Sequence, residues 1–165
     1  MIREAVLSDA RDLLDFNEAT SNESDNLTFG PGELGLTLSQ EEESILTSRR
    51  ADNCLLIVGS INDDIIARLG FSGGKRPRIR HRGEFGISVR KEYWNLGIGG
   101  LMLDALIDWA RESGVVTKIN LSVRCDNEGA IALYEKKGFV KEGTLRKDML
   151  IGGTYIDCYR MGLDV

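Results

Sequence analysis

Three glycines crowd the stretch Val89-Arg-Lys-Glu-Tyr-Trp-Asn-Leu-Gly-Ile-Gly-Gly100, which leads from an apolar segment into an amphipathic one. Glycines at the start of a helix let the backbone turn and approach a ligand closely, because they carry no Cβ. The first N–H groups of a helix have no intrahelical acceptor, and the macrodipole places partial positive charge there. Gly97, Gly99 and Gly100 therefore predict a socket for the phosphates of a cofactor. Two common phosphate motifs do not fit the spacing. The dinucleotide fingerprint would need a third glycine where Met102 stands, and the triphosphate loop would need Lys-Ser/Thr where Leu101-Met102 stand.

The elements around the socket can be read from periodicity. Ile98, Leu101, Met102, Ala105, Leu106 and Trp109 recur at helical spacing and predict the core-facing stripe of a helix that Gly114 ends. In Thr117 to Arg124, Ile119, Leu121 and Val123 alternate with polar residues, as in a half-buried strand. Asp126 or Asn127 can then cap a helix with Ala130, Ile131, Leu133 and Tyr134 as apolar positions, and Gly138 closes it before Phe139.

The ordered pair V-x-K-x-Y-W-N-x-G-I-G-G and N-x-x-A-x-x-L-Y-x-x-x-G-F resembles the GCN5-related N-acetyltransferases, covering residues 85 to 139. The resemblance implies an α/β (α+β) fold: a mixed, mostly antiparallel sheet with helices on both faces and a splayed parallel strand pair. It implies acetyl-CoA as the acetyl donor and coenzyme A as product. In similar proteins a strand pairs with the pantetheine arm, which here places Ile87, Ser88 and Val89 beside it. Backbone amides of Asn95, Leu96, Gly97, Ile98, Gly99 and Gly100 would hold the pyrophosphate. Asn127 matches a residue whose amide fixes the pantetheine, and Tyr134 matches the general acid. Trp94 departs from the pattern, since the family often has Gln or Arg there.

The chemistry suits Tyr134, because a phenol is neutral at physiological pH and can protonate a leaving thiolate. Glu84 is the candidate base on the strand leading to the cofactor, where some relatives use a Glu; an exposed strand residue is the competing reading. His81, the only histidine, is a further candidate, though an arginine-rich strand end is its expected setting.

At 165 residues the chain is long enough for one domain, residues 1–165, with a sizeable core. No apolar run reaches membrane-span length and no signal-peptide profile opens the chain. Cys54, Cys125 and Cys158 are dispersed and, with one histidine, match no metal-site spacing, so no metal is expected and a reducing cytoplasm fits. A net charge of −5 argues against nucleic acid as partner. The local exception is Lys75, Arg76, Arg78, Arg80 and Arg82, whose spacing predicts the exposed face of a strand and could meet an anion, such as RNA or the cofactor's 3′-phosphate.

In the N-terminal third, Ser8 or Asp9 can cap a helix, and Ser39 with Glu42 spells a capping box for a second. Glu33, Glu41, Glu42 and Glu43 make this region acidic, which would suit either a cationic acceptor or a helix N-terminus. Cys54–Val58 and Ile65–Phe71 predict two buried strands, and Gly152-Gly153 a hairpin between the last two. The leading expectation is direct transfer of acetyl to a primary amine in a ternary complex, the amine being a polyamine-like or aminoglycoside molecule or a peptide N-terminus. A homodimer is expected from the family. The alternatives are a CoA-binding regulatory module without turnover and an RNA- or ribosome-associated protein.

Overall fold

Leu55, Leu56, Ile57 and Val58 are all buried, the mark of a strand covered on both faces. The computed structural model describes residues 1–165, and in it this run lies inside a seven-stranded sheet. In chain order the elements are β1 (Ile2–Glu4), α1 (Ala10–Glu23), α2 (Leu38–Arg50), β2 (Cys54–Ile61), β3 (Asp64–Gly73), β4 (Arg82–Val89), α3 (Ile98–Ser113), β5 (Lys118–Arg124), α4 (Glu128–Lys136), β6 (Val140–Ile151) and β7 (Thr154–Asp164). The sheet order is β1-β2-β3-β4-β5-β7-β6, with every neighbouring pair antiparallel except β4 and β5. Alternation along β2 divides the core. Leu55 and Ile57 pack with residues of α3 and α4, while Leu56 and Val58 pack with Leu13 and Phe16 of α1 and Ile45 of α2. Helices thus cover both faces, as expected.

Turn chemistry fixes the hairpins. Asn62 and Asp63 both have positive φ, 49° and 70°, the two-residue geometry whose twist matches its strands. Gly152 and Gly153 do the same between β6 and β7, as the sequence predicts.

Four expectations are corrected. The capping box of α2 sits two residues earlier: Gln40 N donates to Thr37 Oγ1 at 3.3 Å, and Thr37 N donates to Gln40 Oε1 at 2.9 Å. Asp9 does not cap the first turn of α1 with its side chain; its carboxylate turns back to accept from Val6 N at 2.8 Å and from Arg3 at 2.6 and 2.9 Å. The core stripe of α3 is Met102, Leu103, Leu106, Ile107 and Ala110, and Leu101 is 58% exposed. Both stripes are apolar and helical in period, so only the angle at which the glycine turn launches α3 decides between them. Finally, the basic run forms a loop around a short 3-10 turn, Pro77–Ile79, and β4 begins only at Arg82. Asn53 holds that loop by donating to the carbonyls of Gly74 and Arg80, and Arg80 pairs with Asp52 at 2.7 Å.

Candidate active site

β4 and β5 run parallel for three residue pairs, ending at Glu84↔Asn120, and then separate. Asn120, buried on β5, donates to the carbonyl of Gly83 at 3.2 Å where the strands part. Beyond that point opens a cleft of about 1000 Å³, lined by Phe85 to Val89, by Leu121 to Val123, and by the first turns of α3 and α4. The expected splay is present.

One end of the cleft is the glycine turn. Gly97 is the N-cap of α3 with φ of 82°, and Asn95 also lies in the left-handed region at 62°. The first amide of this stretch to find an acceptor is that of Leu101, which donates to Gly97 O at 3.1 Å; those of Asn95 to Gly100 donate to no group of the chain. A run of unsatisfied donors at a helix start is an anion site. Lys136 and Lys137 line the same end, with Lys137 also bound to Asp104 at 2.6 Å. The cations that could meet phosphate are therefore these two; none of residues 75 to 82 lines the cleft. Asn95, Gly97, Ile98, Gly99 and Gly100 all border the cavity, whereas the side chain of Leu96 is 67% exposed outside it. Trp94 has a role the sequence did not suggest: its indole N–H donates to Val89 O at 2.7 Å and ties the turn to the end of β4.

Midway along the cleft stands Tyr134. Its ring meets Phe85 edge-on at 5.9 Å and Phe139 at 6.0 Å, and burial pushes its hydroxyl up to about 12. The hydroxyl has no partner within the chain and is not sealed from solvent, so it opens to the cavity. Asn127, the N-cap of α4, accepts from Ala130 N at 3.3 Å through Oδ1, which leaves its NH₂ free to donate. Glu84 borders the cleft where the strands part, held by Arg160 Nη1 at 2.6 Å and Ser122 Oγ at 3.3 Å. His81 is exposed and outside the cleft, and its carbonyl accepts from Thr117 and Lys118. It is not part of this site.

Residues 21–139 match the model of the Acetyltransferase (GNAT) family. The chain belongs to that family. It is similar to an L-amino acid N-acetyltransferase of Escherichia coli, with 35% identity over 64% of this chain and 65% of that enzyme. A spermidine N(1)-acetyltransferase of Vibrio cholerae shares 34% identity over 50% of this chain and 48% of its own. The chain thus spans just under two-thirds of the first of these curated relatives and about half of the second. A crystal structure of a GNAT-family acetyltransferase from Streptococcus pneumoniae superposes with a TM-score of 0.98 at 34% identity, covering 100% of this chain and 99% of that one.

The GNAT donor is acetyl-CoA, and the cleft suits it on its own terms. The free amides of Asn95 to Gly100 match a diphosphate, and the edge of β4 beyond Glu84 lacks a strand partner on the β5 side, as an amide-bearing arm would require.

The wall facing the α1–α2 side of the sheet went unread in the sequence. Cross-strand pairing sets Arg68 opposite Ser88, Gly70 opposite Gly86, and Ser72 opposite Glu84, and all six line the cleft. Arg68 donates to Asn17 Oδ1 and to Glu41 Oε1, both at 2.9 Å. Glu41 is fully buried and does not line the cleft, so of the four glutamates that could suit either a cationic acceptor or a helix N-terminus, this one is instead the internal partner of an arginine. Glu33 is likewise occupied, accepting from Gly30 N at 2.7 Å. The available signal was Arg68 itself, a charge inside an otherwise apolar strand, which must find partners or solvent.

Proposed function

We propose that this GNAT protein transfers the acetyl group of acetyl-CoA to a primary amine by direct attack within a ternary complex. The observation that carries the reading is the coexistence, in one cleft, of unpaired amides at Asn95–Gly100 and an unpaired phenol at Tyr134. The amides hold the diphosphate, and Ile87, Ser88 and Val89 with the Asn127 amide hold the arm, so the thioester lies where β4 and β5 part. Fixing both reactants there supplies much of the rate. The amine forms a bond to the carbonyl carbon, the carbon–sulfur bond breaks, and Tyr134 gives its proton to the leaving sulfur.

Burial weakens Tyr134 as an acid but keeps it protonated, and it raises the basicity of a thiolate in the same dry setting in the same direction. Glu84 takes the amine proton. Ser122 and Arg160 orient its carboxylate, which still has free lone pairs. A regulatory module without turnover would leave an unpartnered phenol in the cleft without a purpose.

The test is release of free thiol from acetyl-CoA by purified protein with a panel of primary amines. Amine-dependent release with acetylated product is expected. Tight CoA binding with no acetylated amine would reject transfer, and no binding of any CoA species would reject the site.

A further inference from the structure

Arg68 and Asn17 stand together on the α1–α2 face of the cleft, level with Ser88, and both have donors to spare. Arg68 carries five N–H donors, and the chain engages only its Nη1 with Asn17 and its Nη2 with Glu41. Because Asn17 Oδ1 accepts from Arg68, the other atom of that amide must be the donor nitrogen. Asn17 Nδ2 is buried and has no acceptor, in a residue only 4% exposed. An orphaned buried donor is costly unless something supplies an acceptor.

Glu41 approaches the guanidinium from behind, since Arg68 lines the cleft and Glu41 does not. Loss of water lowers the Arg68 pKa although Glu41 pulls it up, and Glu41 meets the guanidinium through Oε1 alone, its Oε2 having no donor. The neighbouring charges are already matched: Glu23 accepts from Arg90 Nε and Lys91 N, both at 2.8 Å.

Between this wall and Glu84 lies bare backbone, the Gly70↔Gly86 pair, where Gly86 has open space above it. Strand rise puts Arg68 and Ser72, the cross-strand partner of Glu84, about 13 Å apart along β3, with only the glycine pair between them on that face.

We propose that Arg68 and Asn17 bind a carboxylate on the acceptor, so that the amine acetylated by this protein belongs to an amino-acid-like molecule rather than to a polyamine. The guanidinium and the Asn17 amide take the carboxylate, and the amine then points over the glycine trough toward the parting strands. A polyamine would bring only cations to Arg68. This inference rests on the acetyl-transfer reading and narrows its acceptor.

The experiment compares L-amino acids with their primary amides as acceptors at fixed acetyl-CoA. The amide is matched in size but loses the charge, and its less basic amine is more often unprotonated, which favours the amide; even so, the acids should exceed the amides in kcat/KM by about 30-fold or more. The diagnostic variant is the double replacement Arg68→Gln with Glu41→Gln, which strands no buried charge. It should bring the ratio to about one, chiefly through the KM of the acids. Amides equal to acids in the unaltered protein, or a ratio that survives the double replacement, would overturn the proposal.

If no amine is acetylated, transfer fails as a reading, and the clamp is judged separately. N-acetyl-L-amino acids should then give calorimetric binding to the CoA-loaded protein that their amides do not give and that the double variant loses. Equal or absent heats would overturn it.

Discussion

At its glycine turn the cleft offers unpaired main-chain amides from one continuous stretch, Asn95–Gly100, while its α1–α2 wall is built by side chains from three elements far apart in the chain, Asn17 and Arg68 in the lining and Glu41 behind them. The first kind of site depends on the backbone path rather than on side chains, so apart from Asn95 and Gly97, which need positive φ, its residues can be altered with little effect on folding. In the second, the side chains that would meet a ligand with their spare donors also hold the helices to the sheet with their other atoms. Specificity placed on such a wall is bound to the stability of the α1–α2–β3 junction, whereas donor binding is not.

Glu41→Ala should be the most damaging change, because it leaves the Arg68 cation in a largely buried position without its carboxylate; breaking such a pair costs about 3 kcal/mol. For a chain of this size that corresponds to a fall of about 10 °C in Tm by calorimetry. A fall below about 2 °C would remove the wall's structural role.

Tyr134→Phe should reduce kcat by about 100-fold while CoA affinity stays within about threefold. Equal turnover by the two proteins would take the phenol out of the mechanism. The same residue predicts a pH effect on stability. Below pH 10 the hydroxyl is protonated in both folded and unfolded chains and contributes nothing. Burial holds it at about 12 in the fold, so between about pH 10 and 12 the unfolded chain ionises first and folding stability falls by about 3 kcal/mol. Denaturant titrations at alkaline pH should show that slope in the native protein and lose it in the Phe variant.

Gly99→Leu tests the glycine turn. A Cβ there would lie 3.2 Å from Leu133 Cδ2, a movable methyl, so the cost should fall on the anion's approach. About tenfold weaker CoA binding is expected with Tm little changed, and unaltered affinity would contradict the socket. The smallest effect should come from Trp94→Phe. Losing the indole bond to Val89 O costs about 1 kcal/mol and should loosen the turn without abolishing CoA binding.

The glycine turn was legible because it is local: glycines, a preceding strand and a following helix appear in order along the sequence, and the places of Tyr134 and Asn127 in the cleft lining follow from a second block only about thirty residues on. The strands of the core were legible too, since Leu55–Val58 and the Gly152-Gly153 turn carry their signals in neighbouring residues. What failed was rotation and pairing. Leu101 and Leu103 are equally apolar, so the facing side of α3 depends on packing that periodicity does not report. Asn120 looked like an outward residue of an alternating strand, yet it is buried because the Gly83 carbonyl lies beside it. Glu41 read as a surface charge on a helix for the same reason: its partner is 27 residues away, on a strand.

Only three residue pairs join the first four strands of the sheet to the last three. The molecule is therefore two sub-sheets sharing a short seam, and a ligand lodged in the gap would act as the missing rung between them. Acetyl-CoA should then slow amide exchange at both Phe85–Val89 and Leu121–Arg124, lending mechanical continuity to a sheet that the polypeptide alone leaves unfinished.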